Sequence, residues 1–171
     1  MERTTNRYRI QKADVVIGVD PDIEKSGVSI IDAKSKEIQF FSLTFPEVIE
    51  TCSNVHKECE SSGKRLKIIV EGGWLNKGNW HLTARDNYRI AARKGHDAGL
   101  NHGAGMKLVE CMEFKKFPVT VIRPLKKFWN GKDGKITNDE LNGLLRQYGF
   151  PEIKRSNQDQ RDSVLLGLLN I

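Results

Sequence analysis

Apolar positions along the chain come in two kinds, short unbroken runs and longer stretches with helical spacing. Residues 14–19 (DVVIGV) form a continuous apolar run stopped by Asp20-Pro21, which predicts a buried strand ending in a turn. Residues 26–32 (SGVSIID) and 37–44 (EIQFFSLT) predict two more strands, joined by a short polar turn and so paired as an antiparallel hairpin. Pro46 suits a first helical turn. Val48, Ile49, Cys52, Val55, His56 and Cys59 follow near helical spacing until Gly63 ends the helix. A fourth strand, residues 66–70 (LKIIV), closes on Glu71-Gly72-Gly73.

The second half is mainly helical. Residues 83–117 predict one long helix, although Gly95, Gly99, Gly103 and Gly105 are costly there unless the backbone approaches something closely. Residues 118–122 (PVTVI) give a fifth strand. After Arg123-Pro124 the pattern predicts a short basic helix, a Gly-rich loop over 130–135, a helix over 137–148 and a last helix over 158–169. The order β-β-β-α-β-α-β-α-α predicts one α/β domain spanning 1–171, with residues 1–12 as a flexible basic tail. Its sheet is mixed and five-stranded, three antiparallel strands then two parallel, with helices on both faces.

Composition adds exclusions. With 171 residues, 38% of them hydrophobic, the chain is long enough to bury a core. No apolar run reaches the roughly 20 residues a membrane-spanning helix needs, and the first twelve lack the apolar stretch of a signal peptide. Cys52, Cys59 and Cys111 have no paired spacing and read as buried, reduced thiols of a cytoplasmic protein without a membrane partner. The net charge of +6 is unevenly spread: from Lys64 to Lys94 eight basic residues surround only Glu71 and Asp86. From Lys107 to Lys135 there are again eight, against Glu110, Glu113 and Asp133. Positive charge in mid-chain, flanking the isolated Glu71, points to a polyanionic partner.

Four acids stand where chemistry can be assembled. Asp20 ends the first strand and Glu71 the fourth. If those strands are parallel neighbours, both side chains leave the carboxyl edge of the sheet, where ligand sites form. Asp159 and Asp162, three apart at the start of the last helix, share a face. Packing that helix start on the same edge gathers four carboxylates, whose repulsion a pair of divalent cations relieves. All-oxygen ligation suits two Mg²⁺, with Mn²⁺ as a substitute, and not Zn²⁺. Two such ions about 4 Å apart activate a water and stabilise the leaving oxygen of a phosphodiester. Each acid alone has an ordinary reading: a turn former at Asp20, a surface strand end at Glu71, helix N-terminal charges at Asp159 and Asp162.

The stretches IGVDPDIEKSGVSIID, IIVEGGW, NHGAGMKLVECM, RPLKKFWNGKDGKITNDELNGLL and DQRDSVLLGLL span nearly the whole chain. In them, and in their order, the sequence resembles the RuvC family of Holliday-junction resolvases within the ribonuclease H-like superfamily. That resemblance implies a ribonuclease H-like fold and a metal-dependent endodeoxyribonuclease acting on four-way or other branched DNA. It implies that Asp20, Glu71, Asp159 and Asp162 are catalytic metal ligands, and that a homodimer nicks two opposed strands. The sequence also departs from the family. Asp22 stands where the family has Gly, Gly-Gly follows Glu71, Arg161 and Ser163 flank Asp162 in an otherwise Ala-rich position, and Lys135 replaces a lysine that usually opens the next helix. Such departures fit a divergent bacterial branch or a phage or prophage protein. Two alternatives keep the fold: a nuclease acting on RNA or RNA/DNA hybrids, and an inactive nucleic-acid binder.

Around the acids, Trp74 sits three past Glu71, where the family carries an aromatic; stacking on an unpaired base and packing in the core or a dimer interface both stay open. Trp80 and Trp129 have weaker claims. Arg85, Arg89 and Arg93 recur every four residues as one helical stripe, and with Lys77, Lys126, Lys127 and Lys135 are candidate DNA contacts. The stretch DGKITNDEL mimics part of an EF-hand, but Trp129 and Gly131 at two ligand positions offer no side-chain oxygen. His56, His81, His96 and His102 lack metal-ligand spacing, and His102 reads as a packing residue.

Overall fold

The computed structural model describes residues 12–76, 83 and 86–171. Apolar on both faces, the first run becomes β1 (Val15–Asp20) at the centre of the sheet, with Val15 to Val19 all buried. β2 (Ser26–Asp32) pairs antiparallel with β1, and β3 (Glu37–Leu43) antiparallel with β2. On the other side β4 (Leu66–Glu71) runs parallel to β1, and β5 (Val119–Ile122) parallel to β4, giving the order β3-β2-β1-β4-β5. The expected mixed sheet therefore forms, with its strand directions as read from the pattern.

Alternation along the strands sends two sets of side chains to two layers. Ile17, Val19, Val28, Ile68 and Val70 pack with Val48 and Cys52 of α1 (Phe45–Ser62) and with Leu108, Val109 and Met112 of α2 (Tyr88–Phe114). On the opposite face Ile31 packs with Leu141 and Leu145 of α3 (Asn138–Gln147) and with Val164, Leu165 and Leu168 of α4 (Gln158–Leu168). Val16 and Ile69 close around Leu166 of the same helix.

Glycines decide how near α4 can come. A Cβ built on Gly18 would lie 2.1 Å from the Ser163 carbonyl oxygen, and one on Gly27 would lie 2.1 Å from that of Asp159. Both carbonyls belong to α4, four residues apart, so its backbone rests directly on β1 and β2. The Ser29 hydroxyl donates to the Ser163 carbonyl at 2.8 Å, fixing the register of helix on sheet. Asn157 caps α4 by accepting from the Gln160 amide, and Gln160 reciprocates at the Asn157 amide.

Two sequence expectations are corrected. No basic helix follows Pro124: residues 123–128 are irregular. Pro124 biases Arg123 toward extended backbone, and the Leu125 amide is committed to Glu71 instead of a helical turn. The long helix starts at Tyr88, capped by Asn87, and not near residue 83. Of its glycines only Gly105 is closely approached, by Trp74 and Pro21, whereas Gly95, Gly99 and Gly103 have nothing within 4 Å. Cys52 and Cys59 are buried as expected; Cys111 is partly exposed, and all three are free thiols. The tail 1–11, Lys77, Trp80, His81 and Arg85 lie outside the described residues. Among the described residues no helix is long and apolar enough to cross a membrane.

Candidate active site

β1 and β4 are hydrogen-bonded neighbours in parallel, matched up to the pair Val19 and Val70. Asp20 and Glu71 are the next residues of each strand, so adjacent-strand spacing, about 4.8 Å, sets their separation. Their side chains follow Val16–Gly18 and Ile69 in the two-residue alternation, which aims them at the α4 face. Gly27, opposite Asp20 in the sheet, carries the Asp159 backbone on top of it. One helical turn brings Asp162 to the same side. All four acids line a single cleft of about 540 Å³ at the carboxyl edge of the sheet.

The electrostatics follow from that crowding. Burial lifts the Asp20 carboxyl well above the usual carboxylate range, and Glu71, Asp162 and Asp159 add repulsion, with Lys135 opposing. Glu71 is raised by burial; the Leu125 amide, donating to its Oε1 at 3.0 Å, pulls the other way, as do Lys127 and a hydrogen bond with Asp20. Asp159 is raised mainly by burial, against Lys135. Asp162 is held from two sides: Gln158 Nε2 donates to its Oδ1 at 2.8 Å, and Lys135 Nζ stands 3.6 Å from its Oδ2.

This donor set is oxygen-only, anionic and short of counter-charge, which fits hard divalent cations. Among the described residues no three His, Cys, Asp or Glu side chains stand grouped as they would around a bound ion. Protein donors from Leu125, Gln158 and Lys135 take up part of the carboxylate capacity. Asn157, not Asp159, caps α4, and Asp159 is the acidic residue of its first turn.

The basic candidates divide. Lys126, Lys127 and Lys135 line the cleft with the acids. Arg89 and Arg93 are exposed on α2 and do not, Arg93 facing Asp97 at 4.0 Å and Arg89 lying over the Tyr88 ring. The face of α2 that forms the cleft wall is Lys94, Asp97, Ala98, Asn101 and His102, an i, i+3, i+4, i+7, i+8 spacing that starts one residue past Arg93. Neither Lys94 nor Asn101 was singled out from sequence. Lys94 is paired with Asp86 at 2.8 Å, and Asn101 holds the loop after β1 by donating to Asp22 Oδ2 and accepting from the Ile23 amide. Gln158 was missed as well, although its place four residues before Asp162 on a helix made the contact legible.

Trp74, on the 3-10 turn Gly73–Leu75, is half-buried: it packs on the core beside Gly105 while still lining the cleft. His102 packs over Gly73 at the cleft wall. Glu140 is fully engaged, accepting from the Thr137 amide in a capping box and from the Asn130 amide and side chain, which removes the EF-hand reading.

No protein-family model matches the chain, and no curated protein sequence matches it significantly. Solved structures do. T. thermophilus RuvC in complex with Holliday junction substrate aligns over 90% of this chain and 90% of its own, with TM-score 0.50 and 15% identity. A second Thermus thermophilus RuvC structure covers 90% and 91% at TM-score 0.46 and 16% identity. A fowlpox virus resolvase with its substrate Holliday junction DNA covers 91% and 95% at TM-score 0.44 and 13% identity. The first of these likenesses is one of fold: the chain has a RuvC-like, ribonuclease H-like architecture.

Proposed function

We propose that this chain is a metal-dependent endonuclease that hydrolyses phosphodiesters in branched DNA, four-way junctions above all. The observation that carries the reading is the meeting of Asp20, Glu71, Asp159 and Asp162 in one lysine-rimmed cleft. The substrate class is supported by the fold, which is that of a RuvC determined in complex with Holliday junction substrate.

When bound, a pair of Mg²⁺ ions supplies water activation and stabilisation of the departing oxygen, and Mn²⁺ substitutes. The chain's own residues supply the rest. Asp20 sits among the other three acids, and together the four would hold the ions. Glu71 is kept in one orientation by the Leu125 amide. Lys135, beside Asp162, is placed to meet charge that develops on the scissile phosphate, and Lys126 and Lys127 to hold phosphates along the cleft. Arg89 and Arg93 act on duplex arms that run past α2. Paired nicking of a junction requires two such clefts, hence a homodimer.

With Mg²⁺, the purified protein is expected to cut a four-way junction in preference to linear duplex. Asp20→Asn is expected to abolish cutting, at least a thousandfold, while junction binding in EDTA survives. Wild-type protein that binds but never cuts junction, flap or hybrid substrates with Mg²⁺ or Mn²⁺ would remove the enzymatic reading. Sedimentation showing a monomer even on the junction would remove paired nicking by this chain.

A further inference from the structure

The loop after β5 presents an aromatic pair that the cleft chemistry leaves unused. Phe128 is 71% exposed although it follows Lys127 and precedes Trp129, both of which line the cleft. Its ring stacks on that of Trp129 with centroids 4.6 Å apart and planes 28° from parallel. Trp129 is anchored: it packs on the core beneath α3 and α4, and its amide donates to the Gly134 carbonyl at 3.0 Å. The next residue, Asn130, is tied to Glu140 through both its amide and its side chain. A Phe left this open keeps most of its apolar surface in water. Here one face is covered by a fixed indole and the other is free, with Lys126 and Lys127 beside it.

We propose that Phe128, backed by Trp129, is a stacking platform for an unpaired nucleobase at the mouth of the cleft. The two lysines that precede it hold backbone phosphates next to that base, which makes the ligand a nucleic-acid strand and not a free aromatic. The inference rests on the reading of the cleft as a branched-DNA site and names the feature of the branch that is gripped, a base freed from pairing near the crossover. It is separate from Trp74, whose ring is largely spent on packing against Gly105.

The test uses 2-aminopurine, placed either at the base next to the crossover of a four-way junction or in a single-stranded oligonucleotide, both in EDTA so that no strand is cut. Wild-type protein is expected to quench both probes on binding. Phe128→Ala is expected to lose the quenching and to bind both probes roughly tenfold more weakly, the loss typical of one stacked base, with linear-duplex binding unchanged. Phe128→Tyr should restore quenching and Phe128→Leu should not, which separates stacking from bulk. Equal quenching and affinity in wild type and Phe128→Ala, or full rescue by leucine, would overturn the platform. If the wild type shows no preference for any branched DNA, yet single-strand quenching still depends on Phe128, the junction reading fails and the platform stands. If junction preference persists unchanged without Phe128, the platform fails and the junction reading stands.

Discussion

α4 and α2 both flank the cleft, but they are held in opposite ways. α4 has 11 residues, six of them consecutive and buried, from Ser163 to Leu168. α2 has 27 residues and only four buried ones, all at or beyond Gly105. The cause lies underneath: Gly18 and Gly27 let the α4 backbone touch the sheet, whereas the first half of α2 extends past it. The acids on α4 are therefore fixed relative to Asp20 and Glu71. The cations on the first half of α2 are positioned by helix continuity and by local pairs such as Lys94 with Asp86. The proposed two-metal chemistry would need carboxylates held to fractions of an ångström, while a grip on phosphate can tolerate motion.

The sharpest way to break this comparison is to unseat α4. Gly27→Val puts a side chain where the Asp159 carbonyl already sits, 2.1 Å from its first carbon. We expect a loss of at least about 3 kcal/mol in urea denaturation and no cutting by whatever remains folded. A near-native midpoint would show that the helix seat can shift, and the fixed-versus-loose contrast would collapse.

A smaller effect reads the charge trapped under α4. The folded-state values of Asp20, Glu71 and Asp159 are raised. Their contribution to stability is thus complete below the unfolded carboxylate range, about 4, and is lost as pH rises through the raised folded values. Asp32, lowered to about 2 by its hydrogen bond with Lys64 and two backbone amides in spite of burial, works in the other direction. Its contribution is present above about 4 and fades as pH falls toward 2. Without added metal the protein is therefore expected to lose stability as pH rises above about 4 through the raised carboxyls, and Mg²⁺ to restore it, with a larger rise in Tm at neutral than at acid pH. In Asp20→Asn the metal-free protein should melt higher than wild type and the Mg²⁺ response should vanish. An Mg²⁺ shift that is independent of pH, or that survives Asp20→Asn, would place the ion elsewhere.

The same contrast explains what could be read from the sequence. Unbroken apolar runs gave the strands, and the two-residue period then carried Asp20 and Glu71 to one edge and one face. Asp159 stays ambiguous in sequence, because an acid at a helix start serves the helix as readily as it ligates; in the structure Asn157 is the cap and Asp159 is the acid of the first turn. The α2 face was harder to read for a different reason. Arg85, Arg89 and Arg93 recur every four residues in the sequence, but periodicity does not say which way a stripe points, and on α2 Arg89 and Arg93 do not line the cleft. Lys94, one position and about 100° further round, is the residue that meets the cleft. The helix expected after Pro124 failed because the Leu125 amide serves Glu71, a long-range demand that no local pattern reveals.

The mildest test falls on the loose helix. Gly99 is helical and exposed, and a Cβ added there meets nothing within 4 Å. Replacing a glycine in an open helix with alanine removes backbone freedom from the unfolded chain and strains nothing in the folded one. Gly99→Ala should therefore stabilise by about 0.5–1 kcal/mol, a rise of one to a few degrees in Tm, with cutting unchanged. The equivalent change at Gly18 should destabilise, since the added carbon would lie 2.1 Å from the Ser163 carbonyl oxygen. Opposite signs at these two glycines are the comparison in its smallest form. If Gly99→Ala instead lowers Tm, and lowers it more as protein concentration rises, the open face of α2 is covered by a second copy in solution, and half of the helix called loose is an interface.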